Sequence, residues 1–242
     1  MTALAWIAAY RFVDIEHPEL LCTQLQARGE QLGLKGTVLL AHEGVNLMLA
    51  GPSAGIDTWL AELQQDARFA ALDLKRHAIE AVPFGHLRVK VKREIIRMNQ
   101  PDLRPAAGRA PALDAATLAR WIGQGHCDEG RPLALLDTRN AFEVDAGAFA
   151  GAIDWRLAKF SDFPAALASH AEALRGKTVV SYCTGGIRCE KAALWLQQQG
   201  IEHVHQLDGG ILRYFDDIPG APGWQGRCVV FDERDSVAPL PT

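Results

Sequence analysis

The strongest constraint on the fold is a β-rich run that leads, through a turn with two adjacent glycines, directly into a helix. The run Lys177–Tyr182 is rich in β-branched residues, and Cys189–Gln199 has the pattern of a helix that ends at Gly200. The turn between them consists of Cys183, Thr184, Gly185, Gly186, Ile187 and Arg188. A strand followed at once by a helix is typical of a parallel α/β sheet, in which ligands bind beside the carboxyl ends of the strands.

The rest of the second half continues this alternation of strands and helices. The predicted strands are Leu133–Leu136, which ends at Asp137, and His203–Leu207. The predicted helices are Asp114–Gly123, Phe163–Leu174 and Gly210–Asp216. Strands separated by helices pair in parallel and are covered on both faces, so we expect an α/β domain over residues 112–242.

The first half has a different order: strand, helix, strand, strand, helix, strand. The predicted strands are Ala5–Val13, Gly36–Ala41, Val45–Ala50 and Leu72–Ala81, and the predicted helices are His17–Leu32 and Gly55–Asp66. Two helices on one face of an antiparallel sheet form the ferredoxin-like split βαβ arrangement, so we predict an α+β domain of this kind over residues 1–98. Residues 99–111 contain three prolines and a glycine and predict an interdomain linker.

The composition excludes several classes of protein. The chain has 242 residues, a net charge of −4 and 48% hydrophobic residues, which excludes a disordered or collagen-like chain. No run approaches the roughly 18 apolar residues of a membrane-spanning helix, and the N-terminus lacks the basic start of a secretion signal. We therefore expect reduced thiols in a cytoplasmic protein. Cys22, Cys127 and Cys228 have neither a CxxC partner nor clustered histidines, so we expect no metal site.

The turn after Tyr182 predicts a reactive thiol. Gly185 and Gly186 allow successive amide groups to face an anion, and the helix N-terminus and Arg188 add positive charge. These features lower the pKa of a thiol, and the thiolate is the nucleophile, so we predict that Cys183 is catalytic. The alternative is a buried structural cysteine. Four residues separate Cys183 from Arg188, one fewer than in a cysteine phosphatase, and this smaller loop suits one sulfur atom better than a phosphate.

Several segments resemble those of the tRNA uridine hydroxylases, a family that contains a rhodanese domain. The active-site segment of that family is similar to YCTGGIRCEKAA at Tyr182–Ala193. Other rhodanese segments are similar to LLDTRNAFEVDAG, HVHQLDGGI and CVVFDERDSV, and the family's N-terminal domain is similar to LLAHEGVNLMLAG and RVKVKREII. The resemblance covers nearly the whole chain.

This resemblance implies an acylphosphatase-like N-terminal domain, a rhodanese-like domain, and hydroxylation of the wobble uridine of tRNA to 5-hydroxyuridine. It implies molecular oxygen as the co-substrate and a role for Cys183, and no flavin, haem or iron-ligand pattern is visible in the sequence. Two features depart from the family pattern. Ala148 stands where rhodanese domains usually have a histidine, and the chain ends at Thr242 without the Cys-rich extension of longer members, so we expect no metal site there.

Four further residues near the turn have two interpretations each. Cys189 either resolves an oxidised Cys183 by forming a disulfide, or packs in the core and faces away from the turn. Asp137 and Arg139 lie where a strand ends. Asp137 either holds Arg139 or a loop amide in place, or forms a strand-end cap and a surface ion pair, and we favour a structural role. Lys191 either supports the loop by raising the local potential or is solvated.

Residues 68–97 form a basic stretch, with eight basic and three acidic side chains in a chain of net negative charge. Alternation within Phe84–Met98 predicts a half-buried strand with one basic face, which suits a phosphate backbone. The alternative is a solvated edge strand. With the family resemblance, we predict that the anticodon arm of tRNA is bound by Arg88, Lys90, Lys92, Arg93 and Arg97. Phe84 and His86 precede these residues and could stack on an unpaired base.

Three functions therefore stay open at the level of the sequence. The first is hydroxylation of tRNA, through addition of Cys183 to the base or through a peroxy, sulfenate or persulfide species on this residue. The second is rhodanese-type sulfurtransfer, with persulfide sulfur carried on Cys183. The third is a redox sensor or binding module without enzymatic activity, which would use Cys183 and Cys189. The sequence determines neither the oligomeric state nor which tRNAs are bound.

Overall fold

The computed structural model describes residues 3–232, 234–239 and 241. The chain divides into two compact units, Met1–Arg97 and Met98–Thr242. The first unit consists of β1 (Leu4–Phe12), α1 (Pro18–Gln31), β2 (Lys35–Ala41), β3 (Gly44–Pro52), α2 (Ser53–Gln64), β4 (Asp73–Ile79) and β5 (Leu87–Val91). These bounds confirm the first six predicted elements of this half to within two residues.

The first unit is a five-stranded sheet in the order β4-β1-β3-β2-β5. The first four strands pair antiparallel, which confirms the ferredoxin-like arrangement, and β5 pairs parallel with the outer edge of β2. Both helices bury side chains in one core with the strands; Leu25 comes from α1, Trp59 from α2, and Ile7 and Leu47 from the sheet. The basic strand β5 is shorter than the predicted segment and forms one edge of this sheet.

The hairpin between β2 and β3 depends on glycine. Gly44 has a φ of +146°, and a Cβ there would overlap the carbonyl oxygen of Arg11 on the neighbouring strand. L-residues with side chains rarely adopt this backbone conformation. Gly44 therefore allows β1 and β3 to approach closely where the hairpin begins.

The second unit contains a larger number of short elements. They are β6 (Ala112–Leu113), α3 (Ala115–Gln124), β7 (Leu133–Asp137), α4 (Ala141–Ala146), β8 (Gly147–Phe149), β9 (Ile153–Asp154), α5 (Phe163–His170), β10 (Thr178–Tyr182), α6 (Ile187–Gln198), β11 (Val204–Leu207), α7 (Gly210–Asp217), β12 (Trp224–Gly226), β13 (Cys228–Val229) and β14 (Ser236–Val237). The main sheet has the order β6-β11-β10-β7-β9, and every pair in it is parallel, which confirms the predicted α/β class.

Two helices of this unit differ from the prediction at one end, α6 by two residues and α5 by four. Helix α6 begins at Ile187 rather than at Cys189, because Gly186 adopts a left-handed φ of +102° and ends the turn, so the next residue is already helical. The predicted helix Phe163–Leu174 ends at His170 and continues as a 3₁₀ turn. The short elements β8 and β12 were too brief to leave a periodic pattern, yet Phe149 of β8 packs edge-to-face on Tyr182 in the core.

The segment 99–111 belongs to the second compact unit. It contains a 3₁₀ turn at Pro105–Ala107 and buries Leu103 and Ala110. This segment is therefore packed rather than extended in solvent, and its role as a linker stays a prediction. Among the described residues, no helix has the length and apolar character needed to cross a membrane.

Candidate active site

Cys183 lies at the carboxyl end of β10, the central strand of the parallel sheet. The backbone N–H of Gly186 donates a hydrogen bond to Cys183 Sγ at 3.2 Å. Gly186 has a left-handed φ of +102° between the strand and α6, so the chain can enter the helix directly after the amide that faces the sulfur. The local sequence thus places an amide donor of the α6 N-terminus on the thiol, in the way predicted from the glycine pair.

A second glycine pair holds this turn from the other side. The backbone N–H groups of Ile211 and Leu212, in the first turn of α7, donate to the carbonyl oxygens of Cys183 and Thr184 at 2.9 and 3.1 Å. Gly210 has a φ of +68°, and a Cβ there would lie 2.5 Å from the Cys183 carbonyl oxygen. The sequence analysis missed this role of Gly210, although the adjacent glycines in HVHQLDGGI were a signal for a close approach of two backbones.

The environment of Cys183 favours the thiolate. Burial by itself raises the pKa of this thiol, because a buried charge loses its hydration. The hydrogen bond from the Cys189 thiol, the positive charge of Arg188 and the backbone N–H groups of Cys189 and Gly186 together lower it more. The net effect places the pKa of Cys183 well below that of an ordinary thiol, so a large share of it is ionised near neutral pH.

Cys189 faces Cys183. Its Sγ lies 3.9 Å from Cys183 Sγ and 3.0 Å from the carbonyl oxygen of Gly186. The alternative in which this side chain points away from the turn is therefore wrong. Burial, together with the neighbouring Cys183, raises the pKa of Cys189 well above its usual range, so the pair consists of one thiolate and one thiol.

Arg188 is held by a residue to which the sequence analysis gave no function. Its guanidinium donates to both carboxylate oxygens of Glu143, at 2.6 and 2.7 Å, and both side chains are buried. Burial raises the pKa of Glu143, but the hydrogen bonds and charge of Arg188 lower it more, so the carboxylate is ionised. A buried ion pair of this kind orients Arg188 beside the cysteine turn.

The Glu143 carboxylate also accepts a hydrogen bond from the backbone N–H of Asn140 at 3.0 Å. This contact belongs to the first turn of α4. The spacing Asn-x-x-Glu at the start of a helix is a capping signal, and it indicates a local role for Glu143 rather than its contact with Arg188. Arg188 lies 45 residues further along the chain, so such a local pattern cannot indicate this contact.

Asp137 and Arg139 form a second ion pair, with Nη2 of Arg139 2.6 Å from Asp137 Oδ2. Both side chains are completely buried, so the expected place of this pair on the surface is wrong. The guanidinium also donates to the backbone carbonyl oxygens of Glu143 and Gly147. The end of β7 is further joined to β10, because Thr138 donates from its N–H and its hydroxyl to the Tyr182 carbonyl oxygen. These contacts brace the strand ends that carry the cysteine turn.

Lys191 is also buried, with 2% of its surface exposed. The alternative in which its ammonium group is solvated is therefore wrong. Its role beside the turn stays a prediction. Among the residues that the structure describes, no group of three or more histidine, cysteine, aspartate or glutamate side chains is placed to hold a metal ion.

Both units match known protein families. Residues 4–95 match the family model described as UPF0176 acylphosphatase-like domain, and residues 114–217 match the rhodanese-like domain. The chain is 57% identical to the tRNA uridine(34) hydroxylase of Bordetella petrii, over 99% of this chain and 94% of that protein. It is 58% identical to the protein of the same name from Bordetella pertussis, over 97% and 96% of the two chains. The chain belongs to the tRNA uridine(34) hydroxylase family.

In this member of the tRNA uridine(34) hydroxylase family, the basic strand has the predicted alternation. The apolar residues of β5 are half-buried, and its basic residues are exposed. All five basic residues that we expect to contact RNA are exposed: Arg88, Lys90, Lys92, Arg93 and Arg97. The rest of the basic stretch offers less exposed positive charge to RNA than its sequence suggests. Arg68 pairs with Asp66, Arg76 pairs with Asp57, and Lys75 is buried.

Two exposed aromatic rings are close to the buried ion pair of this family member, Phe231 in space and Phe142 in the sequence. Phe142 directly precedes Glu143 in α4, and about half of its surface is exposed. The ring of Phe231, exposed to a similar extent, lies 6.0 Å from the guanidinium carbon of Arg188. Exposed aromatic rings beside a reactive thiol offer faces on which unpaired bases can stack. The sequence analysis did not single out either residue.

Proposed function

We propose that this protein hydroxylates the wobble uridine of tRNA at C5, with Cys183 as the nucleophile and molecular oxygen as the oxidant. The observation that carries the proposal is a thiol of lowered pKa at the carboxyl end of the central parallel strand. It occurs in a chain 57–58% identical, over nearly its full length, to proteins named tRNA uridine(34) hydroxylase. We infer that the protein acts in the cytoplasm, on tRNA.

A thiolate suits this chemistry because C5 of uracil reacts poorly with oxygen by itself. When the Cys183 thiolate adds to C6, the electron pair of the C5=C6 double bond moves toward C5 and O4. C5 then carries the electron density that reacts with oxygen. C5 bonds to O2, and two further electrons from a reductant, with protons, convert this adduct to a C5 hydroxyl group and a water. Loss of the C5 proton then expels Cys183 and restores the double bond. The N–H of Gly186 holds the sulfur at the turn before and after this addition.

The uracil ring must reach a sulfur atom that is fully buried in the structure. Enzymes that act on a base take it out of its stack and into a pocket, and side chains commonly move when the substrate binds. The exposed ring of Phe231 lies beside Arg188 and provides a stacking face for the extruded base or its neighbours. RNA binding and access to Cys183 are therefore coupled in the proposal.

The exposed face of β5 is the part of the first unit that fits an RNA backbone. Phosphate contacts supply affinity and position, while an unpaired loop supplies the base. An anticodon loop combines both features, because its bases are unstacked next to a charged backbone. We assign Arg88, Lys90 and Lys92 to this contact, with Arg93 and Arg97 next to it.

Mass spectrometry of tRNA nucleosides tests the proposed function. A strain that lacks the gene is complemented with the wild-type protein, with Cys183→Ser or with Cys127→Ser. Cys127 is a matched control, because it is equally buried but hydrogen-bonds to Thr178 at the opposite end of β10. We expect 5-hydroxyuridine with the wild-type and control proteins and none with Cys183→Ser. Undiminished 5-hydroxyuridine in the Cys183→Ser strain would contradict any mechanism through this thiol.

Sulfurtransfer is the second candidate, because the Gly186 N–H that faces Cys183 Sγ could equally hold a persulfide. The two functions are separated by one measurement on the purified protein and one on tRNA from a deletion strain. Turnover of thiosulfate and cyanide, together with unchanged tRNA in the deletion strain, would favour sulfurtransfer. Loss of 5-hydroxyuridine on deletion favours the hydroxylase.

A further inference from the structure

A second thiol lies beside the nucleophile, and addition of Cys183 to a base does not use it. Cys189 Sγ is 3.9 Å from Cys183 Sγ, and both side chains are completely buried. Cys189 is in the first turn of α6, so its position is set by the same helix N-terminus that supplies donors to Cys183. The fold thus holds the two sulfur atoms next to each other in a site without solvent.

The proposed reaction has an electron requirement that such a pair can meet. Reduction of one O2 molecule to a hydroxyl oxygen and a water takes four electrons. Oxidation of the C5–H bond supplies two of them. Two thiols that become a disulfide release two electrons and two protons.

We propose that Cys189 is a second catalytic residue, and that Cys183 and Cys189 together supply the two remaining electrons and end each turnover as a disulfide. This inference rests on the proposed function. The net reaction is uridine plus O2 plus two thiols, which gives 5-hydroxyuridine, one disulfide and one water. Oxygen, hydrogen and electrons balance without a further reductant within one turnover.

The first steps form and break the oxygen bonds. Cys183 Sγ bonds to C6, and the C5 carbanion bonds to O2 and takes up a proton, which makes a C5 hydroperoxide. Cys189 Sγ then bonds to the outer oxygen while the O–O bond breaks, and its thiol proton moves to the inner oxygen. The products of this step are a C5 hydroxyl group and a sulfenic acid on Cys189.

The last steps release the base and join the two sulfurs. Loss of the C5 proton expels the Cys183 thiolate and restores the C5=C6 double bond. The freed thiolate attacks Cys189 Sγ and displaces hydroxide, which leaves as water after protonation. An external dithiol then reduces the disulfide and returns both cysteines to the starting state.

The geometry supports the proximity that these steps require. The inner oxygen of the hydroperoxide is three bonds away from Cys183 Sγ, so it forms within the immediate surroundings of that atom, where Cys189 Sγ already lies. Burial and the neighbouring Cys183 keep the Cys189 thiol protonated, and its proton is the one that the inner oxygen needs. A disulfide has an S–S length of about 2.05 Å, so the two sulfur atoms must approach by about 2 Å, a distance that side-chain rotation covers.

A single-turnover experiment tests this assignment. The protein is reduced, freed of all small thiols without oxygen, mixed with an excess of anticodon stem–loop RNA that contains uridine at position 34, and exposed to O2. Nucleoside mass spectrometry measures 5-hydroxyuridine, and mass spectrometry of the alkylated, unreduced protein measures the disulfide. We expect about one product and one Cys183–Cys189 disulfide per protein molecule. An RNA with cytidine at position 34 should give neither at a comparable rate.

The variants separate a redox role from a structural one. Cys189→Ser should give at least about tenfold less product per protein and no disulfide, while its RNA affinity and thermal unfolding match those of the wild-type protein. Cys127→Ser, the control from the opposite end of β10, should behave as wild type. Full product from Cys189→Ser, or product from the wild type with both cysteines still reduced, overturns the inference.

One further arm keeps failure of the inference apart from failure of the proposed function. The same mixtures are repeated with excess dithiothreitol. Wild-type product that forms only with this dithiol overturns the role of the cysteine pair and leaves the hydroxylase proposal standing. No product under either condition overturns the hydroxylase proposal and the inference with it.

Discussion

Cys183 and Cys228 are two buried thiols of the same unit with opposite ionisation. Neither has exposed surface. Burial raises the pKa of Cys228 to about 12, whereas the pKa of Cys183 falls below the ordinary value although it is buried to the same degree. The difference lies in the neighbours. The Cys183 sulfur accepts a hydrogen bond from the Gly186 amide, whereas Cys228 Sγ lies 3.7 Å from the Val229 carbonyl oxygen and 3.9 Å from the Thr184 hydroxyl oxygen. This hydroxyl and the charges of Arg139 and Arg188 lower the pKa of Cys228 by less than burial raises it.

Burial alone therefore does not determine whether a thiol is inert or reactive. A buried anion is stabilised only where donors and positive charge already point at it, because the surroundings cannot reorganise as water does. At Cys183 the donors come from the start of α6, and the charge comes from Arg188, which Glu143 orients. At Cys228, burial raises the pKa more than the nearby donors and positive charges lower it.

The largest effect is expected when Glu143 is removed. Glu143→Ala leaves the buried guanidinium of Arg188 without its partner, and loss of one member of a buried ion pair costs about 3–5 kcal/mol. Chemical denaturation measures the change in the free energy of unfolding. Glu129→Ala, which removes an exposed partner of Arg131, is the control and should leave stability nearly unchanged.

The same position also tests the origin of the charge at Cys183. In Glu143→Gln, which keeps the shape of the side chain, the positive charge of Arg188 is no longer neutralised. The pKa of Cys183 should therefore fall further, and the acid limb of its alkylation should move to lower pH. A shift to higher pH would contradict this expectation and show that Glu143 acts on Cys183 mainly by holding Arg188 in place.

The next effect comes from the glycine that lets α7 approach the turn. Gly210→Ala combines a left-handed φ with a Cβ 2.5 Å from the Cys183 carbonyl oxygen, so both strain and overlap apply. We expect a loss of about 2–4 kcal/mol in the free energy of unfolding and a reactivity of Cys183 closer to that of Cys228. Gly151→Ala is the matched control. It has a φ of +72° with open space around it, and should lose only about 1–2 kcal/mol.

The pH dependence of alkylation tests the difference in pKa between Cys183 and Cys228 directly. Because the pKa of Cys183 is lowered, its thiolate is present at neutral pH, and the rate with a small electrophile should fall only when the pH drops through this lowered value. The pKa of Cys228 is raised to about 12, so this thiol should stay unreactive up to strongly alkaline pH. Mass spectrometry of the alkylated peptides distinguishes the two. An acid limb near pH 8.5, the usual value for a free thiol, would refute the special environment of Cys183.

The smallest effect on the thiol is expected from the exposed basic strand. Lys90→Ala should weaken RNA binding a few-fold and reduce the slope of log affinity against log salt by about one. The alkylation rate of Cys183 should not change, because Lys90 is an exposed side chain of β5 and is not one of the groups that shift the pKa of Cys183. Arg175→Ala, an exposed residue paired with Glu172, is the control and should leave the slope as it is. An unchanged slope in Lys90→Ala would remove β5 from the proposed RNA contact.

Much of the fold followed from short-range patterns. Alternation and helical spacing predicted six elements of the first unit to within two residues, because these periodicities depend only on which face of an element is buried. The turn at Cys183 could be predicted for a similar reason, because it is local in sequence. Gly186 permits an unusual φ next to a strand end, and its amide faces a sulfur only three residues earlier in the chain. The sequence by itself thus determined the element order of the first unit, the position of the cysteine turn and the amide donor that faces its thiol.

The tertiary structure decided what surrounds that nucleophile. Glu143 reaches Arg188 across 45 residues, Gly210 admits α7 to the turn, and the orientation of Cys189 toward Cys183 depends on where α6 begins. None of these follows from periodicity, because each arises where elements distant in the chain meet at one edge of the parallel sheet. The pKa of a buried thiol depends on the combined effect of such contacts. It is therefore set by the folded sheet, which brings these groups together.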